Sequence, residues 1–186
     1  MISTDGPRRI RIRRSLRETL VLLIIALAAV LFLRLFVFEM AFVDGQSMMP
    51  TLRDLDRVVV MKWTHYLRRQ PKRGEIIVTK YPNREGYFIK RVIALPGDTI
   101  EIRDGRPYVN SRQIFPQIDG YSSPDYALAT VPEGHIFVLG DNRANSVDSH
   151  NLPPPGFIPL DYLLGRADLL VWPLNNFKTL THIKDE

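Results

Sequence analysis

The chain contains no cysteine. Disulfides, thiol nucleophiles and thiolate metal sites are thereby excluded, and the fold must be held by its core. It has no internal repeat and no low-complexity tract, so nothing in it calls for a repeat architecture. Acidic residues are scarce at one end. Residues 1–18 hold Arg8, Arg9, Arg11, Arg13, Arg14 and Arg17 against only Asp5 and Glu18. Of a formal net charge of +5 this arm carries +4, so the rest of the chain is nearly neutral. A basic patch of this kind serves nucleic-acid or membrane binding, and its position beside an apolar run favours the membrane.

What is present begins with that run. Thr19 to Phe38 is apolar except for Arg34. Twenty residues at ~1.5 Å rise span ~30 Å, the hydrocarbon thickness of a bilayer. Arg34 lies near the far end, where its side chain reaches the interface. A cleaved signal peptide has a shorter apolar run and a small-residue cleavage site; here Glu39-Met40-Ala41-Phe42 follows. A buried globular helix seldom stays apolar on every face for five turns. The arginines precede the helix, so the positive-inside rule puts residues 1–18 in the cytoplasm as a basic arm. The expected organisation is 1–18 arm, 19–38 transmembrane helix and 39–186 one domain across the membrane.

Hydrophobic residues make up 45% of the 186, enough for a packed core. Short runs rich in Val, Ile, Phe and Tyr recur at 57–61, 75–79, 87–94, 99–102, 107–109, 135–139 and 168–172. Turn signals separate them, among them Pro71–Gly74, Pro82–Gly86, Pro96-Gly97-Asp98, Asp104-Gly105 and Pro132–Gly134. This pattern predicts a mainly β domain, sandwich or barrel-like. Only Pro159–Leu164 hints at a helical turn, and Ile114–Thr130 reads as a long loop or hairpin excursion. The basic segment Trp63–Arg73 reads as a solvated turn between strands, or else as a membrane-surface patch.

Four segments are unusual. They are Gly45-Gln46-Ser47-Met48-Met49-Pro50-Thr51-Leu52, Arg53–Lys62, Tyr87–Asp98 (Y-F-I-K-R-V-I-A-L-P-G-D) and Gly140–His150 (G-D-N-R-A-N-S-V-D-S-H). Singly, each has a plain explanation. Ser47 beside a proline makes a turn. Lys90 shares a strand face with Phe88 and Val92 and could point outward, since a lysine is costly to bury. Asp141, Asp148 and His150 fit neither a calcium-loop nor a zinc spacing.

Together, in this order after one membrane helix, they closely resemble the boxes of type I signal peptidases (leader peptidases). These are bacterial Ser–Lys membrane proteases that remove signal peptides from exported proteins. The resemblance covers most of residues 30–174, including Leu164-Gly165-Arg166-Ala167 and Trp172-Pro173-Leu174. It implies an all-β extracytoplasmic catalytic domain on a single-pass anchor in the cytoplasmic membrane. It also implies a serine endopeptidase cutting after Ala-x-Ala, with exported preproteins and the lipid bilayer as partners. No cofactor, metal or nucleic acid is implied.

By the same match Ser47 is the nucleophile and Lys90 the general base. A lysine serves as a base only when neutral, and burial among Phe88, Ile89, Val92 and Ile93 favours that form. Ser146 matches the serine that orients the amine. Gly140 matches a glycine packed against it. Asp141 and Arg143 match structural positions. Asp148 matches a carboxylate that in many members pairs with an arginine two residues on, where this chain has His150. Met48 and Gly45 match substrate-cleft positions, and the Ser47 amide, with one near Gly45, matches the oxyanion donors. Met40, Phe42, Met48 and Met49 form an apolar cluster that is either core or a membrane-dipping edge. A repressor-like Ser–Lys peptidase would carry a DNA-binding N-terminus instead of a membrane helix. A silent scaffold domain has no use for Ser47, Lys90 and Ser146 together.

Overall fold

The computed structural model describes residues 8–62, 69–82, 84–114, 123–150 and 156–180. The chain parts into two compact units, Met1–Val37 and Phe38–Glu186.

The first unit is helical. α1 runs Arg8–Phe32 and continues as a π-helical turn over Leu33–Val37. The helix therefore starts inside the arginine arm, earlier than the sequence pattern required. The stretch long and apolar enough to cross a membrane is Ser15–Val37, 23 residues. At 1.5 Å per residue it is ~35 Å long, sufficient for a bilayer core. Phe38, expected to close the helix, instead opens a strand.

The second unit is mainly β, as the turn-punctuated runs predict. Its strands are β1 (Phe38–Phe42), β2 (Arg57–Met61), β3 (Ile76–Tyr81), β4 (Arg84–Ala94), β5 (Thr99–Arg103) and β6 (Arg106–Val109). They continue with β7 (Arg112–Gln113), β8 (Tyr126–Thr130), β9 (His135–Leu139), β10 (Ile158–Pro159), β11 (Leu163–Trp172) and β12 (Lys178–Thr179). The large sheet has the order β1-β2-β11-β3-β4-β9-β10, with β12 on β11, and the small one β7-β6-β5-β8.

The central strands bury both faces. On β3, Ile76 and Val78 join one core cluster with Val43, Leu52, Val58 and Val60, while Ile77 joins another with Val92, Ile136 and Val138. On β4 and β9, Ile93, Phe137 and Leu139 face a third cluster shared with Ile100 and Ile102 of the small sheet. Burial on both sides explains why these strands read as continuous apolar runs.

The differences from the sequence reading are local. Ile114–Thr130 is not all loop: β8 pairs antiparallel with β5, giving that stretch a sheet place no alternation announced. Residues 115–122 lie outside the described residues. β11 begins at Leu163, five residues before the expected strand, and the helical turn shrinks to a 3-10 turn over Leu160–Tyr162. Of the basic segment, residues 63–68 lie outside the described residues. The arginines after them are bound to the protein's own carboxylates, Arg69 to Glu75 and Arg73 to Asp98.

Candidate active site

Ser47 lies on the loop between β1 and β2. Gly45 has φ +87°, a left-handed backbone that favours glycine, and its N–H donates to Asp54 Oδ1 at 2.8 Å. Beyond Ser47 the loop turns inward, with Met48 and Leu52 buried in the core and Leu52 N–H donating to the Met48 carbonyl. From the other side the Asn142 amide donates to the Ser47 carbonyl at 3.0 Å, and Asn142 Nδ2 donates to the Gln46 carbonyl at 3.1 Å.

Lys90 arrives on β4, opposite Ile77 of β3. It is 2% exposed. The outward-facing reading of its strand face is thus not realised, because both faces of β4 are covered at this point. Lys90 Nζ donates to Ser47 Oγ at 2.8 Å and to the Ile89 carbonyl at 3.1 Å. Burial lowers its pKa from 10.5 to about 8, against the pull of Asp148 and Asp141. A serine hydroxyl bonded to a desolvated amine is an arrangement that can make a nucleophile.

The segment after β9 frames this pair. Gly140 has no room for a side chain, since a Cβ there would meet Ser146 and the Ser47 carbonyl oxygen. Its N–H donates to Asp148 Oδ2 at 2.8 Å. The other Asp148 oxygen is bonded to His150 Nδ1, so the imidazole fills the place the resemblance gives to arginine. Asp141 is buried against Arg91, which donates from Nε at 2.7 Å and from Nη2 at 2.6 Å, and Thr51 Oγ1 adds a third bond. Arg143 is also buried, and desolvation lowers its pKa while Asp141 and Asp148 oppose the shift.

Three expectations meet a different geometry. Met48 is 1% exposed and packs in the core, because its side chain anchors the Ser47 loop rather than facing a cleft. The Gly45 amide is taken by Asp54, which leaves it no hydrogen for an oxyanion. Among the described residues Ser146 Oγ is buried with no hydrogen-bond partner, and the Lys90 amine is bonded to Ser47 and Ile89.

Sequence reasoning missed Arg91, Asn142, Thr51 and Asp54. Arg91 carried a signal: a second cation inside an apolar strand needs a buried carboxylate, and Asp141 in a polar loop supplies it. Nothing in the spacing marks Thr51 or Asp54.

Comparison with known proteins places the chain in a family. Residues 16–172 match the family model for signal peptidase, peptidase S26. The chain belongs to that family and is a serine endopeptidase that removes signal peptides. Among its relatives is a probable signal peptidase I-2 of Synechocystis sp., 40% identical over 80% of this chain and 70% of that protein. A probable signal peptidase I-1 of the same organism is 39% identical over 89% and 87%. The signal peptidase I of Bacillus licheniformis is 33% identical over 89% and 94%.

Proposed function

We propose that this chain cleaves exported preproteins through a Ser47–Lys90 dyad. The observation that carries this is the 2.8 Å bond from a buried Lys90 amine to Ser47 Oγ. In the first step Ser47 Oγ attacks the scissile carbonyl carbon while neutral Lys90 takes its proton. The carbonyl electron pair moves onto oxygen. The Ser47 N–H, which makes no hydrogen bond among the described residues, is the donor available to receive it. Collapse of the tetrahedral species expels the amine of the mature protein, protonated by Lys90. A water deprotonated by Lys90 then hydrolyses the acyl-enzyme. Asp141 and Asp148 hold the loops that set this geometry.

Sheet topology supports a docking mode. β4 is paired with β3 from Arg84 onward, but with β9 only from Arg91. Among the described residues its other edge carries no paired strand from the hairpin up to Lys90. An extended peptide adding a strand there would run toward Ser47. The Ala-x-Ala preference rests on the motif resemblance. The arginines of the first turns of α1 support an N-terminus in the cytoplasm and a catalytic unit outside.

The test is cleavage of an Ala-x-Ala preprotein in detergent by wild type, Ser47→Ala and Lys90→Met. Cutting by wild type, with both variants folded and at least ~10³-fold slower, is expected. Retained activity in either variant removes the dyad.

A further inference from the structure

Tyr81 closes β3 with a buried phenol to which the dyad chemistry assigns no task. It is 3% exposed. Its ring stacks on Phe88 of β4, with centroids 4.3 Å apart and planes within 6°. Its hydroxyl reaches across 66 residues of sequence to donate to the Val147 carbonyl at 3.2 Å. Phe88 lies two residues before Lys90, on the same strand face. One side chain thus touches both the strand that carries Lys90 and the segment that carries Ser146. Burial raises the pKa of the phenol, so it remains a donor at every working pH.

The segment that Tyr81 grips has few other holds. Before it, the Asn145 N–H donates to the Asn142 carbonyl at 3.1 Å and to its side-chain oxygen at 3.2 Å. After it, Ser149 shares two bonds with Val138, one through its N–H and one through Oγ. Between these, among the described residues, the bond from Tyr81 is the one hydrogen bond that Ser146 and Val147 make. The Val147 side chain is 40% exposed and adds little packing. Ser146 in turn borders the Ser47 loop. Its Oγ and the Ser47 carbonyl oxygen both crowd the position that a Gly140 side chain would take.

We propose that Tyr81 is a positioning residue for the cleavage reaction: its hydroxyl fixes the Val147 carbonyl and so places Ser146 beside the Ser47 loop, in register with the strand that brings Lys90. This rests on the Ser–Lys reading above. Tyr81 takes no part in proton transfer and acts through Val147. The physical reason is geometric. A group beside reacting atoms loses much of its effect when displaced by ~1 Å, and a peptide held by a single bond moves when that bond goes. The hydroxyl and the ring are separable, because the ring alone makes the stack on Phe88.

The experiment is a double-mutant cycle on preprotein cleavage by the full chain in detergent. Wild type, Tyr81→Phe, Ser146→Ala and the double variant are compared, with Lys90→Met alongside. Incubations are long enough to read slow variants against Ser47→Ala as the blank. Tyr81→Phe keeps the ring and loses the hydroxyl alone. Its kcat is expected to fall about tenfold with KM unchanged. In the Ser146→Ala background the same substitution should cost no further kcat, since the group it places is gone. Melting temperature is the counter-readout. It should drop equally in both backgrounds, because the Val147 carbonyl loses its donor in each. A merely structural Tyr81 would lower kcat by the same factor in both backgrounds. That result, or an unchanged kcat in Tyr81→Phe, overturns the inference while the dyad stands. If Lys90→Met still cuts, it is the dyad that fails.

Discussion

At Lys90 the proposed chemistry and a cost in stability fall on one side chain. Its pKa falls from 10.5 to about 8 because burial disfavours the ammonium, so between those values the folded chain holds fewer protons than the unfolded one. Stability from this group therefore rises with pH across that window, and below about pH 8 the full penalty is present. Lys90→Met is expected to be more stable than wild type at pH 7, by on the order of 3 kcal/mol. The gain should shrink toward pH 10.5. Thermal unfolding of both proteins at several pH values checks this, and equal stability throughout refutes it. Gly140 offers a second residue-scale prediction. A Cβ there meets the Ser47 carbonyl and Ser146, so Gly140→Ala must push the Ser47 loop aside. A loss in kcat of about 100-fold with little change in melting temperature is expected, measured on the same preprotein.

Among the elements, the turn joining β4 to β5 also joins the two sheets. Asp98 organises it, accepting from the Leu95 N–H and Arg73 at 2.8 Å and from Asn110 Nδ2 at 2.7 Å. Burial alone would raise its pKa, but these three donors outweigh it and the net shift is downward. A depressed carboxylate stabilises above its unfolded pKa and loses that contribution as pH falls through the folded one. Asp98→Ala should cost about 2 kcal/mol at neutral pH. The gap from wild type should narrow in acid, and denaturant titrations at neutral and low pH measure it. β1 was hidden for a related reason. F-E-M-A-F follows directly on the membrane run with only Glu39 to interrupt it, and only pairing with β2 from Phe38↔Met61 to Phe42↔Arg57 reveals a strand.

At the scale of the whole molecule, the catalytic unit keeps apolar side chains in the open. Phe42 is 63% exposed and Leu174 71%, and Phe38, Met40, Trp172 and Phe177 are exposed as well. Arg57 lies between the Phe42 and Trp172 rings. Aromatic rings flanking a cation suit a lipid interface. Met40 and Phe42 of the expected cluster belong to this edge, while Met48 belongs to the core. In a Trp63→Phe background, Trp172 fluorescence should be quenched by brominated lipids; lack of quenching would place this edge in water. Orientation has its own test, made simple by the absence of cysteine. A cysteine at Asn110 should react with a membrane-impermeant maleimide from outside, and one at Ser15 should not.

The sequence by itself determined the long apolar helix, the β character of the rest and the Ser47–Lys90 pair proposed as the dyad. Hydrophobic length and the turn-punctuated runs are local properties, and the Ser47 and Lys90 boxes are read within a dozen residues each. Tertiary structure decided what those residues touch. Lys90 was exposed or buried according to whether β3 and the Ser47 loop covered its strand, which no alternation on β4 records. Met48 became core, the Gly45 amide went to Asp54, and Asp141 found Arg91 across 50 residues. His150 stood in the sequence as a departure at the position that pairs with Asp148, and folding brings the two together. Burial and charge pairing depend on residues distant in the chain meeting at one place, and only the folded sheets bring them there.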